Sequence, residues 1–445
     1  MSVVLVVFST CMWARLTLGC LQTLDNIEEM QSPFPRVQEI MSLLKVYKQQ
    51  HNRLTVESEN QTSLCARKWM STHSCGWELK CNANFGVGNT FGNFLNNFAS
   101  AVVLNRTFVV TPSLEPECAK YLWYRDWLPD FWTTQKLLDR AGCGSGFGRR
   151  EDLSSFHGNL SLAVGARDIC DSGDRHRHIC VFSESRVRDY PLTALRAKIL
   201  FSNPYDDGAR FELLGYLFHM AFKFSSHANA LVNSQVSDLY SFNTSSIFAN
   251  NTLCARKPGV LSIAIHLRHQ NLESLSHPEI DERRDKLRLQ ELAHIRKESL
   301  DHENVTSCVI FVATDRIATL HRVIEYAPSI NCTARFTPRD LSDGSNNSYI
   351  VEHGPWSGPA VFADIALLSH ATRLSGDVDS TLSFLVADLV TASSSAYGLM
   401  EHGVLWGVGD TLPERTAHSK HPYFCDKNSS KDIIDRRKLL FRVNY

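Results

Sequence analysis

From Val260 onward the sequence switches repeatedly between two hydrophobic periods, and that alternation restricts the fold more than any other feature. "VLSIAIHL" (260–267) is an apolar, β-branched run of strand length, and "RRDKLRLQELAHIRKE" (283–298) is a charged segment of helical length. "SCVIFVATD" (307–315) predicts a second buried strand and "RIATLHRVIEYA" (316–327) a second helix. After a Ser/Asn/Gly-rich loop around "LSDGSNNS", "GPAVFADIALLSHATRL" predicts a helix, and "STLSFLVADLVTA" opens another with Ser/Thr at its start. Strands alternating with helices are the pattern of an α/β sheet with parallel strands.

The same pattern occurs earlier. "ANFGVGNTFGNFLNNFASAVVLNRTFVVTP" (83–112) reads as a glycine turn, a helix and a strand, with Phe91, Phe94, Leu95, Phe98 and Val102 at helical spacing and a strand over Thr107–Val110. Before it, "RVQEIMSLLKVYKQQ" predicts an amphipathic stem or packing helix with Val37, Ile40, Met41, Leu44 and Val46 apolar. Residues 203–257 read as helical, then loop-like. The expected division is 1–20, 21–64 (stem or packing helix), 65–255 and 256–425 (two Rossmann-like units), with a tail over 426–445. At 445 residues the chain accommodates two such units, each with its own core.

Lys plus Arg number 46 and Asp plus Glu 47, so nothing in the charge balance points to an extended polyanion such as nucleic acid as the main partner, and any anion site must be local. The apolar run Val3–Trp13 is shorter than the roughly 20 residues of a membrane-spanning helix. It fits the core of a signal peptide or a short signal-anchor. Sequons stand at Asn60, Asn105, Asn159, Asn243, Asn250, Asn304, Asn331, Asn346 and Asn428. With 13 cysteines, and the group Cys65, Cys75 and Cys81 suggesting local disulfides, the expected location is the secretory pathway lumen, with secretion as the alternative.

Four segments carry candidate chemistry. In "FGVGNTFGN" (85–93), Gly86 and Gly88 before a helix permit close backbone approach of a ligand, and serve equally as a tight turn. "HLRHQNLESLSHP" delivers His266, Arg268, His269 and Glu273 directly after a strand; Arg268 can clamp a phosphate, or the run can be a solvated loop. Asp315 follows the second strand, where an N-cap is the plainer role. Ser380, Thr381 and Ser383 open a helix, where hydroxyls and N–H groups receive a diphosphate or simply cap. "GCGSGFGRR" (142–150) lacks dinucleotide-loop spacing and reads as a loop. In "CDSGDRHRHIC" (170–180) a disulfide is favoured over zinc.

Taken in order, the glycine–asparagine loop, H-x-R after a strand, strand–T-D and S-T-x-S at a helix start resemble the inverting fucosyltransferases of GT-B fold. The α1,6 group, with its rhizobial chitin-oligosaccharide and animal N-glycan core enzymes, is the nearest in pattern. "HLRHQNLE" is similar to the rhizobial H-V-R-H-G-N-G-E, and "ESLSHP" to the E-x-x-x-H-P of the core enzymes. The resemblance covers about Cys81–Pro112 and Val260–Val390. It implies two Rossmann-like domains facing a cleft and fucose transfer from GDP-fucose to a glycan hydroxyl with inversion.

It also implies roles. Arg268 would hold the donor diphosphate and His266 the guanine side. Asp364 would take part in guanine recognition, and Asp315 would lie near the nucleotide. Ser380, Thr381 and Ser383 would donate to the β-phosphate, assisted by backbone at Gly86, Gly88 and Asn89. Glu273 would be the general base or would orient the acceptor. No metal or cofactor is implied, and "DVD" (377–379) reads as coincidental. His269 stands where the animal motif has a second arginine, and "STLS" is closer to the α1,2 group, so the linkage is less constrained than the fold. Other readings are a protein O-fucosyltransferase, another nucleotide-sugar transferase, a non-catalytic glycan-binding glycoprotein, and a disulfide-linked secreted protein with no nucleotide site.

Overall fold

An amphipathic helix comes first in this computed structural model, which describes residues 35–72, 87–111, 114, 119–143, 161–165, 177–182, 208–242, 254–267, 278–302, 304–314, 317–337, 361–376, 381–396 and 405–406. This helix is α1 (Pro35–His51), and its Ile40, Met41, Leu44 and Tyr47 enter the main apolar core. Val46, expected on that face, is 46% exposed. Two residues beyond Leu44 it points to nearly the opposite side of the helix, while Tyr47, three beyond, stays on the buried stripe. The short helices α2 (Arg53–Ser58) and α3 (Gln61–Ala66) are each capped by an asparagine: Asn52 accepts from the Thr55 N–H and Asn60 from the Ser63 N–H. Cys65 on α3 is bonded to Cys143, 78 residues away, which corrects its expected local pairing. The cause is tertiary, because α3 is docked by the Gln61 side chain, which donates to the Ala141 carbonyl.

The next elements are β1 (Trp69–Thr72), α4 (Val87–Val103), β2 (Thr107–Val109), β3 (Leu122–Tyr124), α5 (Phe131–Arg140), β4 (Ser161–Gly165) and β5 (His178–Phe182). Four of these strands make a parallel sheet in the order β2-β1-β5-β4. The helix predicted from the phenylalanine spacing is α4: Phe91, Phe94, Leu95 and Phe98 are buried, and the Phe98 ring stacks on Phe108 of β2 at 4.8 Å. Gly88 and Asn89 belong to the first turn of α4 rather than to a loop before it. Next come α6 (Gly208–Ala221), β6 (Phe222–Phe224), α7 (Ser226–Val236), β7 (Tyr240–Phe242) and β8 (Cys254–Arg256). β3 pairs with β6 and β7 with β8, both antiparallel, so the expected helical and loop character of 203–257 gives way in part to short strands, β6 held by a distant partner and β7 and β8 by one another.

The second sheet contains β9 (Val260–Leu267), β10 (Ser307–Thr314), β11 (Thr333–Arg335), β12 (Arg373–Ser375) and β13 (Leu405–Trp406), with α8 (Pro278–His302), α9 (Ile317–Tyr326), α10 (Val361–Leu368) and α11 (Thr381–Ala396) between them. All five strands are parallel, in the order β11-β10-β9-β12-β13. Alternate residues of β9 face opposite sides: Leu261, Ile263, Ile265 and Leu267 pack with α8 and α9, whereas Ala264 packs with α10 and α11. Helices on both faces bury the two long strands except at Val260, Ser307 and Thr314 at their ends, as their apolar character requires. β12 corrects the helix expected through "ATRL": it pairs with β9 from Arg373 to Ser375, and this inward place overrides the local helical pattern. Cys308 and Cys332 form a second disulfide across the starts of β10 and β11.

The helices of the two sheets share one apolar cluster, which contains Phe91 of α4, Leu217 of α6, Phe362 of α10 and Leu389 of α11. Gly215 of α6 makes the crossing with α11 possible, since a Cβ there would run into the Asp388 carbonyl oxygen and the Ala392 Cβ. Among the described residues no helix is long and apolar enough to cross a membrane.

Candidate functional site

The strand order of the second sheet locates a crevice before any side chain is considered. β9 is flanked by β10 and β12, and the helices leading into those two strands, α8 and α10, cover opposite faces of the sheet. The connections therefore diverge past the C-terminal ends of the central strands. Ligands of open α/β sheets bind at such a switch point.

His266 is the penultimate residue of β9, buried on the α10/α11 face. Its Nδ1 is hydrogen-bonded to the Ser383 Oγ at 2.7 Å, and Ser383 is the third residue of α11. The first turn of α11 has N–H groups that no residue of the helix can accept, and these suit an anion. Gly376, just past β12, is pressed against the same serine: a Cβ there would come within 2.9 Å of the Ser383 Cβ and 3.1 Å of its Oγ. Strand end, glycine and helix start are therefore packed as one unit. The opposite face of the sheet has its own polar brace, where Ser375 Oγ donates to Glu291 Oε2 at 2.7 Å and Arg288 Nη1 donates to the same oxygen at 3.0 Å.

Asp364 lies in the first turn of α10 and is buried. The Thr337 hydroxyl, two residues past β11, donates to its Oδ1. Phe362, two residues before Asp364, meets Phe91 of α4 edge-on at 5.3 Å. Gly88, also buried, is three residues before Phe91 on α4.

The structure thus brings His266 and Ser383 into contact and sets Asp364 at the same C-terminal edge, beyond β11. Thr381 is the first residue of α11, and Asn89 is in the first turn of α4; their side chains lie outside the described residues. Arg268, Glu273, Asp315, Ser380 and Gly86 also lie outside the described residues, as do His269 and the "DVD" run. In sequence, Arg268 follows the last residue of β9 and Asp315 the last residue of β10. Among the described residues no cluster of His, Cys, Asp or Glu could hold a metal ion. Cys170 and His176 of the cysteine–histidine run lie outside the described residues, while His178 is buried in β5 against the Ser71 hydroxyl at 2.9 Å.

Sequence reasoning missed Gly376, Thr337 and Glu291. The glycine could have been found, since "RLSG" ends an apolar run with a residue that has no Cβ. Glu291 gave no signal, because it stands in a helix whose charges read as solvated.

No protein-family profile matches the chain, and no curated protein matches it. Among solved structures the chain is similar to a mutant of Arabidopsis thaliana FUT1 in complex with GDP, with a TM-score of 0.50, 11% identity, and coverage of 84% of this chain and 80% of that one. It matches fucosyltransferase NodZ from Bradyrhizobium at a TM-score of 0.36 and 12% identity, over 73% of this chain and 94% of that one. It matches POFUT1 in complex with GDP-fucose at a TM-score of 0.33 and 12% identity, over 75% and 95%. The likeness to the plant structure establishes the fold; the other two, at lower TM-scores, add nothing to it.

Proposed function

We propose that this protein is a fucosyltransferase that moves fucose from GDP-fucose to a glycan hydroxyl with inversion, in α1,6 linkage. The observation that carries the reading is the buried His266–Ser383 hydrogen bond at the switch point of a doubly wound sheet. A fold shared with a structure that holds GDP supports the choice of donor. In this reading residues 65–255 and 256–425 act as the two Rossmann-like halves of a GT-B enzyme, the second taking the nucleotide. The protein works in the lumen of the secretory pathway, in the Golgi.

The chemistry needs no redox step. The acceptor hydroxyl attacks C1 of fucose, its proton passes to Glu273, and the bond from C1 to the diphosphate oxygen breaks on the opposite face. The electron pair leaves with GDP. Arg268 and the N–H groups opening α11, with Ser380, Thr381 and Ser383, receive the charge that develops on the diphosphate, so no metal is required. His266 and Asp364 hold the guanosine side, Asp315 lies beside it, and the backbone at Gly86, Gly88 and Asn89 closes on the phosphates.

Calorimetric titration of GDP, GDP-fucose and UDP into the chain made in a secretory host tests this. Guanine-nucleotide binding that Arg268→Ala abolishes is the expected result, with Glu273→Gln binding donor normally but failing to transfer. A folded protein that binds no guanine nucleotide would sink the proposal. Glycan and protein acceptors offered side by side distinguish glycan transfer from protein O-fucosylation.

A further inference from the structure

Four sequon asparagines fall within the described residues, Asn60, Asn105, Asn304 and Asn331, and all four are exposed. Three of them stand just before a strand of a parallel sheet. Asn105 is two residues ahead of β2, Asn304 three ahead of β10, and Asn331 two ahead of β11. Asn60 opens α3, which leads into β1. Because parallel strands all begin on one edge, Asn105, Asn304 and Asn331 collect on the N-terminal edges of the two sheets, and Asn60 stands one short helix ahead of that edge at β1. The candidate site lies on the C-terminal edge of the second sheet, roughly 23 Å away along the eight residues of β10 at about 3.3 Å per residue.

Thr107 is buried against His51 and Arg67 and Thr306 donates to the Gly259 carbonyl, so structure accounts for those two threonines. At the other two sequons backbone geometry explains the asparagine but not the threonine. Asn105 and Asn331 have φ of 48° and 55°, a region that asparagine tolerates better than most residues, and Asn60 is a helix cap. None of this requires Thr62 or Thr333, both of which are exposed. The structural role also spares the atom that matters. Asn60 accepts from the Ser63 N–H through Oδ1, and Asn105 contacts His51 Nε2 through Oδ1, so neither bond engages Nδ2. The two disulfides independently suit the oxidising compartment where such modification occurs, and one of them uses the middle residue of the Asn331-Cys332-Thr333 sequon.

We infer that Asn60, Asn105, Asn304 and Asn331 are N-glycosylation sites, and that their glycans clothe the N-terminal edges of the sheets while leaving the C-terminal crevice open. The reaction forms a bond from Nδ2 to C1 of an oligosaccharide delivered on a polyprenyl diphosphate by the host's transferase. The bond from C1 to the diphosphate breaks, the diphosphate leaves with its electron pair, and the amide loses one proton. This inference is independent of the proposed transferase activity.

The test is to secrete the full chain from an animal cell, remove glycans enzymatically in heavy-oxygen water and map the peptides by mass spectrometry. Heavy-oxygen aspartate at all four positions is the expected result. Thr62→Ala and Thr333→Ala, which keep the capping and left-handed asparagines, should each remove one glycan step on a gel without moving the unfolding temperature. Unlabelled asparagine at the four positions in a secreted, disulfide-bonded chain overturns the inference, as does label confined to other sequons.

Discussion

Each sheet contains a buried histidine hydrogen-bonded to a serine hydroxyl, and the two pairs have opposite settings. In the first sheet His178 of β5 meets Ser71 of the adjacent strand β1 at 2.9 Å, enclosed within the sheet. In the second, His266 meets Ser383 at 2.7 Å where a strand ends and a helix begins. The chemistry is the same, but one pair joins two strands while the other borders the switch-point crevice. Burial, with the Arg106 charge as a smaller cause, pushes His178 down to about 3, so it stays neutral and serves packing. Side-chain type therefore does not identify a site; position in the topology does.

The disulfides should separate the two regions by the largest margin. Replacing Cys65 and Cys143 by serine, which opens a 78-residue span, should cost about 4 kcal/mol, and opening the 24-residue Cys308–Cys332 span about 3 kcal/mol. Denaturant midpoints check both, and equal losses would contradict the loop-length account. Gly215→Ala should come next, at about 3 kcal/mol, because overpacking forces α6 away from α11. If the two sheets unfold as one unit in the native protein, this variant should split the transition in two.

Acid provides a third comparison. His178, His219 and His370 are all held down to about 3 by burial first, with Arg106, Arg125 and Arg256 respectively adding to it. A histidine in the unfolded chain takes up its proton near pH 6.5, whereas the folded state refuses it until about pH 3. Stability is therefore full above pH 6.5 and falls as the pH drops through that window, by about 1.4 kcal/mol per pH unit for each histidine. His178→Gln should flatten the slope; an unchanged slope would mean that His178 is protonated in the fold.

The smallest effect on stability is the most informative about function. Ser71→Ala and Ser383→Ala should each cost about 1 kcal/mol. Only Ser383→Ala should weaken guanine-nucleotide binding, about tenfold, or roughly 1.4 kcal/mol. Gly376→Ala, which presses on Ser383, should weaken it as well. Equal binding by the two serine variants would remove the distinction between the pairs.

Much of the fold was legible locally. β9 occupies the predicted Val260–Leu267, and α4 buries the phenylalanines whose spacing predicted it. His266 and Ser383 were singled out from motif order alone, and they touch across 117 residues of chain. β12, Val46 and Cys65 were misread for a common reason: the outcome at each depended on a partner remote in sequence. Thr337 and Glu291 were invisible because ordinary polar residues acquire a role only from what they face.

Hydrophobic period is a property of neighbouring residues, so the sequence by itself determined where the long elements such as β9, β10 and α4 form and most of the faces they bury. Strand order, the Cys65–Cys143 pairing, the close approach of α6 to α11 at Gly215 and the meeting of His266 with Ser383 belong to the tertiary structure. Each depends on which surfaces pack together once the chain has closed, and no local pattern encodes that choice.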